Sequence, residues 1–344
     1  MSSWISGIPP RGEFFPPTPR VSNFLMNFYR LWPIGFCLRH YGLGTENTLK
    51  RRAIADQAYS QLSILQWTPL SSFQAMGKTS SNSRFNIHGR LAWTIAESAG
   101  PLNLLYILYT LPGKLKPTPD ASTSFMGTGL PAQYEILACL YLVHYVNRAF
   151  YTPLFVAASM SPIHPIIVII MGLHQYVNSS NIACGLVYSA LRDEVQGYDR
   201  QLFSYGSVLG TIIGLAFFSE GLWRNMSAEA ILHNMRRDAA KRKARSEGKI
   251  EVSYDKVYVI PPPQGYFRNI LCPHYVWEWI EWTGYYILGG TWGLGWGWQS
   301  PALWFVVVEV ATMLPRAVTQ RNWYMEKFGK RAVAGRAAAI PGVL

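Results

Sequence analysis

Long apolar segments recur along the whole chain and constrain its fold more than any other feature. A membrane-spanning helix needs about 20 mostly apolar residues, because each residue adds about 1.5 Å of rise. The strong candidates are 91–111, 132–150, 153–173, 203–223 and 303–314 with some residues before it, and the weaker ones are 21–36, 176–191 and 282–296. We therefore predict an all-α integral membrane protein with about seven transmembrane helices.

Composition and charge agree with this prediction. Of the 344 residues, 49% are hydrophobic and only 15% are charged, whereas a soluble domain carries about 25% charged residues. The net charge of +12 is concentrated between the apolar segments, above all at 236–249. This distribution is typical of cytosolic loops under the positive-inside rule. Because no nucleic-acid-binding motif accompanies the basic residues, we expect no nucleic-acid partner.

The cysteines and the chain's first residues exclude several other classes. The four cysteines are widely spaced and form no CxxC pair, so we expect neither a disulfide framework nor a metal site. Residues 1–20 are rich in proline and lack an apolar core, which does not fit a signal peptide. The segment 114–129 reads as a loop, and 235–263 as a cytosolic segment that starts helical and ends extended at Val257–Ile260, before three prolines.

One carboxyl group lies inside a strongly apolar segment. Glu97 follows Ala92-Trp93-Thr94-Ile95-Ala96, at a depth where a carboxyl group either pairs with a cation or stays protonated. A protonated acid can donate a hydrogen bond to a ligand carbonyl. A structural hydrogen bond between helices explains the residue equally well.

A polar cluster ends the apolar segment 132–150. It contains His144, Tyr145, Asn147 and Arg148. Tyr145 can donate to a carbonyl, and Arg148 can bind a phosphate or a carboxylate. An interfacial tyrosine beside a snorkelling arginine is the commoner explanation of such a pattern.

Two further polar groups share helix faces. Asn225, Glu229, Leu232 and Arg236 have spacings of 4, 3 and 4, which place them on one face, as a solvated helix would also do. Arg316, Gln320 and Tyr324 repeat every four residues, with Arg321 turned farther round the helix. They suit a phosphate-bearing ligand, although a positive-inside anchor is the simpler explanation. No GxGxxG motif follows a strand, so a nucleotide would have to be held by side chains on helix ends and loops.

These clusters also occur in a recognisable order. The sequence contains Trp93-x-x-x-Glu97, His144-Tyr145-x-x-Arg148-x-Phe150, Asn225-x-x-x-Glu229-x-x-Leu232-x-x-x-Arg236, Pro273–Gly284, Pro315-Arg316-Ala317 and Trp323–Phe328. Taken together they resemble the steroid 5α-reductase family, and Pro273–Gly284 resembles its Asn-Tyr-x-Gly-Glu-Ile-x-Glu-Trp-x-Gly signature. The resemblance defines a membrane catalytic domain at 76–344. It leaves 1–75 as an N-terminal segment with a first transmembrane helix and an insertion at 45–61.

The resemblance implies a seven-helix membrane fold, an NADPH site open to the cytosol and a lipid-accessible substrate pocket. By position, Glu97 and Tyr145 would hydrogen-bond the substrate's carbonyl oxygen and stabilise the enolate, as an oxyanion hole does. Trp93 would line the cavity for the substrate's rings. The residues that fall where the family binds NADPH are Arg148, Asn225, Glu229, Arg236, Tyr258, Glu278, Arg316, Gln320, Arg321 and Tyr324.

The sequence departs from the family pattern at several positions. His274 stands where the family usually has Asn, Trp277 where it often has Gly, and Ala96 where a polar residue usually precedes the glutamate. Gln320 and Arg321 replace a pair of histidines, and 289–298 is inserted before the last helix. These changes concern the substrate more than the reaction.

The implied reaction is NADPH-dependent reduction of the carbon–carbon double bond of an α,β-unsaturated ketone, a 3-oxo-Δ4-steroid or sterol-like lipid. A trans-2-enoyl-CoA or polyprenal reductase would use the same chemistry on a linear chain, but Glu97 and Glu281 look more like the steroid branch. A non-catalytic sterol- or lipid-binding membrane protein and a methyltransferase of related C-terminal architecture are further alternatives. We expect a monomer in contact with membrane lipids, multi-pass in the endoplasmic reticulum membrane, with the cofactor site facing the cytosol.

Overall fold

Helices form nearly all of the regular structure. The computed structural model describes residues 9–42, 83–115, 124–195 and 205–341, so the predicted insertion at 45–61 lies outside the described residues. In those ranges the chain forms helices and three isolated β-bridges but no strand. The helices are α1 (Pro19–Gly42), α2 (Gly89–Leu115), α3 (Ala132–Tyr145), α4 (Pro165–Val195), α5 (Tyr205–Ser246), α6 (Pro273–Thr291), α7 (Pro301–Phe328) and the short α8 (Lys330–Val333). A π-helix, Val146–Val156, continues α3, and two short 3₁₀ helices are Arg11–Glu13 and Gly265–Phe267.

Proline marks the start of several helices. Pro165, Pro273 and Pro301 are the first residues of α4, α6 and α7, a position where the missing amide hydrogen costs nothing and the fixed φ suits a helix. Ser300 caps α7 by accepting a hydrogen bond from the Leu303 amide at 3.1 Å. The sequence therefore sets these helix starts locally.

Two predicted spans, 153–173 and 176–191, are wrong as separate helices. The chain leaves the π-helix at Val156 and is not helical again until Pro165, from which α4 runs to Val195 without a break. Pro162 and Pro165 explain the interruption, because a proline disfavours helical backbone at the residue before it. Hydropathy could not show the break, since the residues around it are apolar.

Apolar surface is extensive on the outside of the helices. Among the described helices, α7 is the one that is both long and apolar enough to cross a membrane by length and composition. Large apolar side chains are also exposed on α2, α4 and α5: Leu91, Ile95, Leu102, Ile166, Ile169, Leu173, Leu209, Ile212 and Ile213. A protein in water rarely exposes so many such side chains on neighbouring helices.

Glycines let α5 and α6 pack backbone to backbone. A Cβ at Gly214 would meet Leu288 at 2.7 Å, and a Cβ at Gly284 would meet the Phe218 amide nitrogen at 2.4 Å. Such small residues allow close helix approach in membrane proteins. Beside this contact lies the main core, with the fully buried Trp282 near its centre.

Arginines satisfy backbone carbonyls where the π-helix ends. Arg90 of α2 donates to the Leu154 and Ala157 oxygens at 3.0 and 2.8 Å. Arg237 of α5 donates to the Phe155 and Val156 oxygens. Carbonyls at a helix end lack intrahelical donors, so these contacts stabilise the turn. Arg148 lies near the start of the same π-helix.

Candidate functional site

Arg148 joins two carboxyl groups from different helices. Its Nε lies 3.4 Å from Glu97 Oε2 in α2, and its Nη1 lies 3.3 Å from Glu278 Oε1 in α6. Trp93 holds the arginine from a third side: its indole nitrogen donates to the Arg148 carbonyl oxygen at 3.2 Å, and its ring centroid lies 5.5 Å from the guanidinium carbon. The site is therefore assembled from α2, the π-helix and α6.

Glu278 is in turn held by a side chain of α5. Asn225 Nδ2 donates to Glu278 Oε2 at 3.1 Å and to the His274 carbonyl oxygen at 3.2 Å. His144 contacts two glutamates of α6: its Nε2 lies 3.8 Å from Glu278 Oε1, and its Nδ1 lies 2.8 Å from Glu281 Oε1. The side chains of Asn225, Glu278, His144 and Glu281 thus form one polar network within an apolar interior, to which His274 contributes its backbone carbonyl.

Acidic groups outnumber basic ones around Arg148. Four glutamates interact electrostatically with its guanidinium, namely Glu278, Glu97, Glu309 and Glu229. One positive charge can balance one of them. Because an isolated carboxylate is costly away from water, the carboxyl groups without a cation are favoured in the protonated form. The site therefore contains acids able to donate hydrogen bonds.

Helix α4 supplies a second set of contacts to the same region. Gln175 Nε2 donates to Glu97 Oε2 at 2.5 Å, and Asn178 Nδ2 donates to the Tyr145 hydroxyl at 3.3 Å. The Tyr145 ring stacks on that of Tyr141, with centroids 4.5 Å apart. Glu97 and Tyr145 are 3% and 2% exposed. Both are thus fixed before any ligand binds.

A cavity of about 160 Å³ opens beside this network. Its lining includes Trp93, His144, Arg148, Asn225, Glu229 and His233. Burial raises the pKa of Glu229 to about 7, an effect that Arg148 opposes and Glu278 reinforces. Burial and then the charges of Arg237, Arg236 and Arg90 lower the pKa of His233 to about 4. The histidine is therefore neutral at neutral pH, and its Nδ1 accepts a hydrogen bond from the Ala158 amide at 3.4 Å.

A second group of predicted residues lies near the end of α7. Gln320 Nε2 donates to the Tyr324 hydroxyl at 3.4 Å, and Arg321 Nε donates to the Arg336 carbonyl oxygen at 2.8 Å. The Tyr258 ring lies 5.2 Å from that of Trp323. These contacts belong to a separate core around the C-terminal end of α7.

Two arginines keep donors unused. Arg316 makes no hydrogen bond or ion pair with another described residue, although it interacts electrostatically with Glu309. Arg236 donates to the Ser159 and Tyr254 carbonyl oxygens at 3.4 and 3.5 Å, but its buried Nε has no partner among the described residues. A buried donor without a partner is uncommon. Both arginines thus have capacity for an anionic ligand.

Comparison with known proteins decides the family. Residues 165–344 match the family model described as 3-oxo-5-alpha-steroid 4-dehydrogenase. An uncharacterized protein of Schizosaccharomyces pombe is 31% identical over 255 residues, which cover 74% of this chain and 84% of the relative. The chain belongs to the steroid 5α-reductase family.

Named relatives agree with this assignment. The steroid 5-alpha-reductase DET2 of Gossypium hirsutum is 27% identical over 208 residues, covering 60% of this chain and 69% of the relative. The 3-oxo-5-alpha-steroid 4-dehydrogenase 1 of Bos taurus is 26% identical over 258 residues, covering 72% of this chain and 79% of the relative. The steroid 5α-reductases are membrane-associated oxidoreductases that use NADPH. The family prediction is confirmed.

The structure brings together only some of the site residues predicted from the family motifs. Trp93, Glu97, Arg148, Asn225 and Glu278 form one connected network. Glu229 lines the neighbouring cavity and Tyr145 is joined to α4. Tyr258, Gln320, Arg321 and Tyr324 form the separate group near the end of α7. The roles of all these residues stay predictions.

Several residues of the site were missed in the sequence. Glu309 interacts electrostatically with Glu97, Glu278 and Arg148, and it lies within the apolar segment 303–314. The rule that singled out Glu97, a carboxyl group inside an apolar segment, would also have found it. His233, Gln175 and Asn178 gave no such signal.

Proposed function

We propose that this chain reduces the carbon–carbon double bond of an α,β-unsaturated ketone with NADPH, and that its substrate is a 3-oxo-Δ4-steroid or sterol-like lipid. The observation that carries the proposal is the pairing of Glu97 with Arg148 and Gln175 through one oxygen, Oε2, beside a buried tyrosine held by α4. This arrangement leaves the other carboxyl oxygen for a ligand. The plant and bovine relatives, which are named as a steroid 5-alpha-reductase and a 3-oxo-5-alpha-steroid 4-dehydrogenase, support the same substrate class.

Glu97 and Tyr145 are the groups proposed to bind the substrate's carbonyl oxygen. As the β-carbon gains a hydride, negative charge develops on that oxygen, and two preorganised donors stabilise it in an interior of low dielectric constant. One such donor contributes about 3–4 kcal/mol to lowering a barrier of this kind. Trp93, whose ring lies beside the Arg148 guanidinium, is the residue proposed to contact the flat rings of the steroid.

The residues present fit NADPH. Arg236 and Arg316 keep donors suited to phosphate, and Arg148, Asn225 and Glu229 surround or approach the cavity. When bound, the cofactor supplies the hydride. Glu278, Tyr258, Gln320, Arg321 and Tyr324 complete the proposed set of cofactor-binding residues, although Arg321 would have to share its guanidinium with the Arg336 carbonyl oxygen.

The proposed location is the endoplasmic reticulum membrane, which the chain would cross several times. The exposed apolar side chains of α2, α4 and α5 support a lipid-facing exterior. The last part of α5, up to Ser246, carries exposed basic residues, which suits the cytosolic side. A hydrophobic substrate could then enter from the bilayer while the cofactor binds from the cytosol.

Turnover by the purified, detergent-solubilised protein tests the proposal. NADPH oxidation is followed with a 3-oxo-Δ4-steroid, a trans-2-enoyl-CoA and a polyprenal, and products are identified by mass spectrometry. We expect a steroid product two hydrogens heavier than its substrate. Consumption of a linear substrate alone would overturn the proposed substrate class and keep the chemistry. Failure to bind NADPH would overturn the enzymatic function.

A further inference from the structure

Two amide side chains of α4 lie against the two groups proposed to bind the carbonyl. Gln175 donates to Glu97 at 2.5 Å, and Asn178 donates to Tyr145 at 3.3 Å. The amides are one helical turn apart and therefore share a face of α4. Both are buried, with 6% of Gln175 and none of Asn178 exposed. We call these two residues the α4 amide pair.

The contacts to Glu97 converge on a single oxygen. Gln175 Nε2 and Arg148 Nε, at 2.5 and 3.4 Å, both face Oε2. No described residue hydrogen-bonds to Oε1. An acid whose Oε2 already accepts two donors holds its hydrogen on the other oxygen, because the hydrogen and the donors would collide on the same one. Gln175 and Arg148 together thus leave Oε1 as the oxygen of Glu97 that can donate.

At Tyr145, too, the amide of α4 acts as the hydrogen-bond donor. Asn178 Oδ1 accepts a hydrogen bond from the Tyr29 hydroxyl at 3.2 Å. The amide nitrogen of Asn178 faces Tyr145 and donates to the phenol oxygen at 3.3 Å. The phenol oxygen then accepts from Asn178, so the α4 amide pair does not hold the phenol's own hydrogen.

We propose that Gln175 and Asn178 are positioning residues that direct the hydrogens of Glu97 and Tyr145 toward the substrate's carbonyl oxygen. Each amide fills an acceptor position of its partner with a donor. The inference rests on the proposed function, since it requires Glu97 and Tyr145 to act as donors. A merely structural amide could have either polarity, whereas this role needs the amide to donate.

Reversing the polarity at Asn178 provides the main test. Asn178→Asp has almost the same shape, but its carboxylate cannot donate and would accept the Tyr145 hydrogen. We expect kcat to fall by about 10- to 100-fold, because one donor is misdirected, while the NADPH dissociation constant stays unchanged. Gln175→Glu should act in the same way on Glu97, since two adjacent carboxyl groups would share a proton between them.

Double mutants separate positioning from a general loss of structure. In a Tyr145→Phe background, Asn178→Asp should cause no further loss, because the hydrogen that it misdirects is already absent. In a Glu97→Gln background, the same substitution should keep its full effect. Losses that multiply equally in both backgrounds would overturn the inference.

A milder variant and a matched control distinguish the proposed effect from misfolding. Tyr29→Phe removes only the hydroxyl that holds Asn178, and we expect a smaller fall in kcat that disappears in the Tyr145→Phe background. Ser189→Ala removes a hydrogen bond of the same helix to the Leu294 carbonyl oxygen, at 3.4 Å, and should leave kcat unchanged.

Ligand affinity gives a readout that does not depend on turnover. In the presence of NADP⁺, the polarity-reversing variants should bind the unsaturated ketone about 10-fold more weakly than the wild type does. Wild-type turnover in Glu97→Gln and Tyr145→Phe would overturn the proposed function itself. If those two variants lose turnover while Asn178→Asp, Gln175→Glu and Tyr29→Phe keep it, the positioning role alone is overturned.

Discussion

Gly221 of α5 lies directly against the backbone of Glu281 in α6. A Cβ at position 221 would come within 2.5 Å of the Glu281 amide nitrogen and 2.6 Å of its Cα. Glu281 in turn contacts His144, which neighbours Glu278. The glycine therefore sets the distance between two helices at the level where the polar network crosses them.

Gly221→Ala should destabilise the protein for this reason. The neighbouring atoms are backbone and cannot move aside, so the added methyl group has to separate α5 from α6, at a cost of about 1–3 kcal/mol or more. The measurement is the melting temperature in detergent. Gly172→Ala, in α4, is the matched control because nothing lies within 4 Å of an added Cβ there. An equal response of both variants would contradict the prediction.

Arg148→Met should destabilise the fold as well as remove activity. The substitution leaves the Glu278 carboxylate buried without its cation, and breaking a buried pair in this way costs about 3 kcal/mol. The change is read from thermal unfolding without cofactor. Arg224→Met serves as the control, since Arg224 and Glu220 form an exposed pair, with nitrogen and oxygen 2.6 Å apart, whose loss should have little effect. Unaltered stability of Arg148→Met would show that the network does not depend on its charge.

The sequence predicted the helices better than their limits. Apolar segments indicated α1, α2, α6 and α7, because hydropathy is a local property. The break before Pro165 was missed, since apolar residues on both sides of it hid a change from helix to turn. Tertiary contacts, including those of arginine with the carbonyls of 154–159, stabilise that turn.

The candidate site likewise contains residues that the sequence could identify and residues that it could not. Glu97 could be singled out because a carboxyl group in an apolar segment is costly. Gln175 could not, because its partner lies 78 residues away and an amide in a weakly apolar segment is unremarkable. Short motifs identified residues that face the site, whereas the contacts that orient them depend on helix packing that no local pattern encodes.

Arg316→Ala should weaken NADPH binding while leaving the fold intact. Its guanidinium makes no hydrogen bond or ion pair with another described residue, so little is lost in the free protein. A charge-assisted hydrogen bond to a phosphate would be lost on binding, which corresponds to an increase of about 10- to 100-fold in the dissociation constant. Cofactor affinity is measured by titration calorimetry in detergent. The control is the exposed Arg331→Ala, and equal affinity in the two variants would remove Arg316 from the site.

The pKa of Glu229, raised by burial to about 7 from 4.5, predicts a pH-dependent stability. Glu229 lies beyond the predicted span 203–223, on the part of α5 that lines the cavity. Below about pH 4.5 the carboxyl group is protonated in both the folded and the unfolded chain, so its burial carries no charge penalty. As the pH rises toward 7, the unfolded chain releases its proton first, and the contribution of this group to stability is lost. Glu229→Gln should therefore flatten the decrease in melting temperature between about pH 5 and 7. The exposed Glu251→Gln should keep the wild-type slope, and a Glu229→Gln curve parallel to that of the wild type would contradict the prediction.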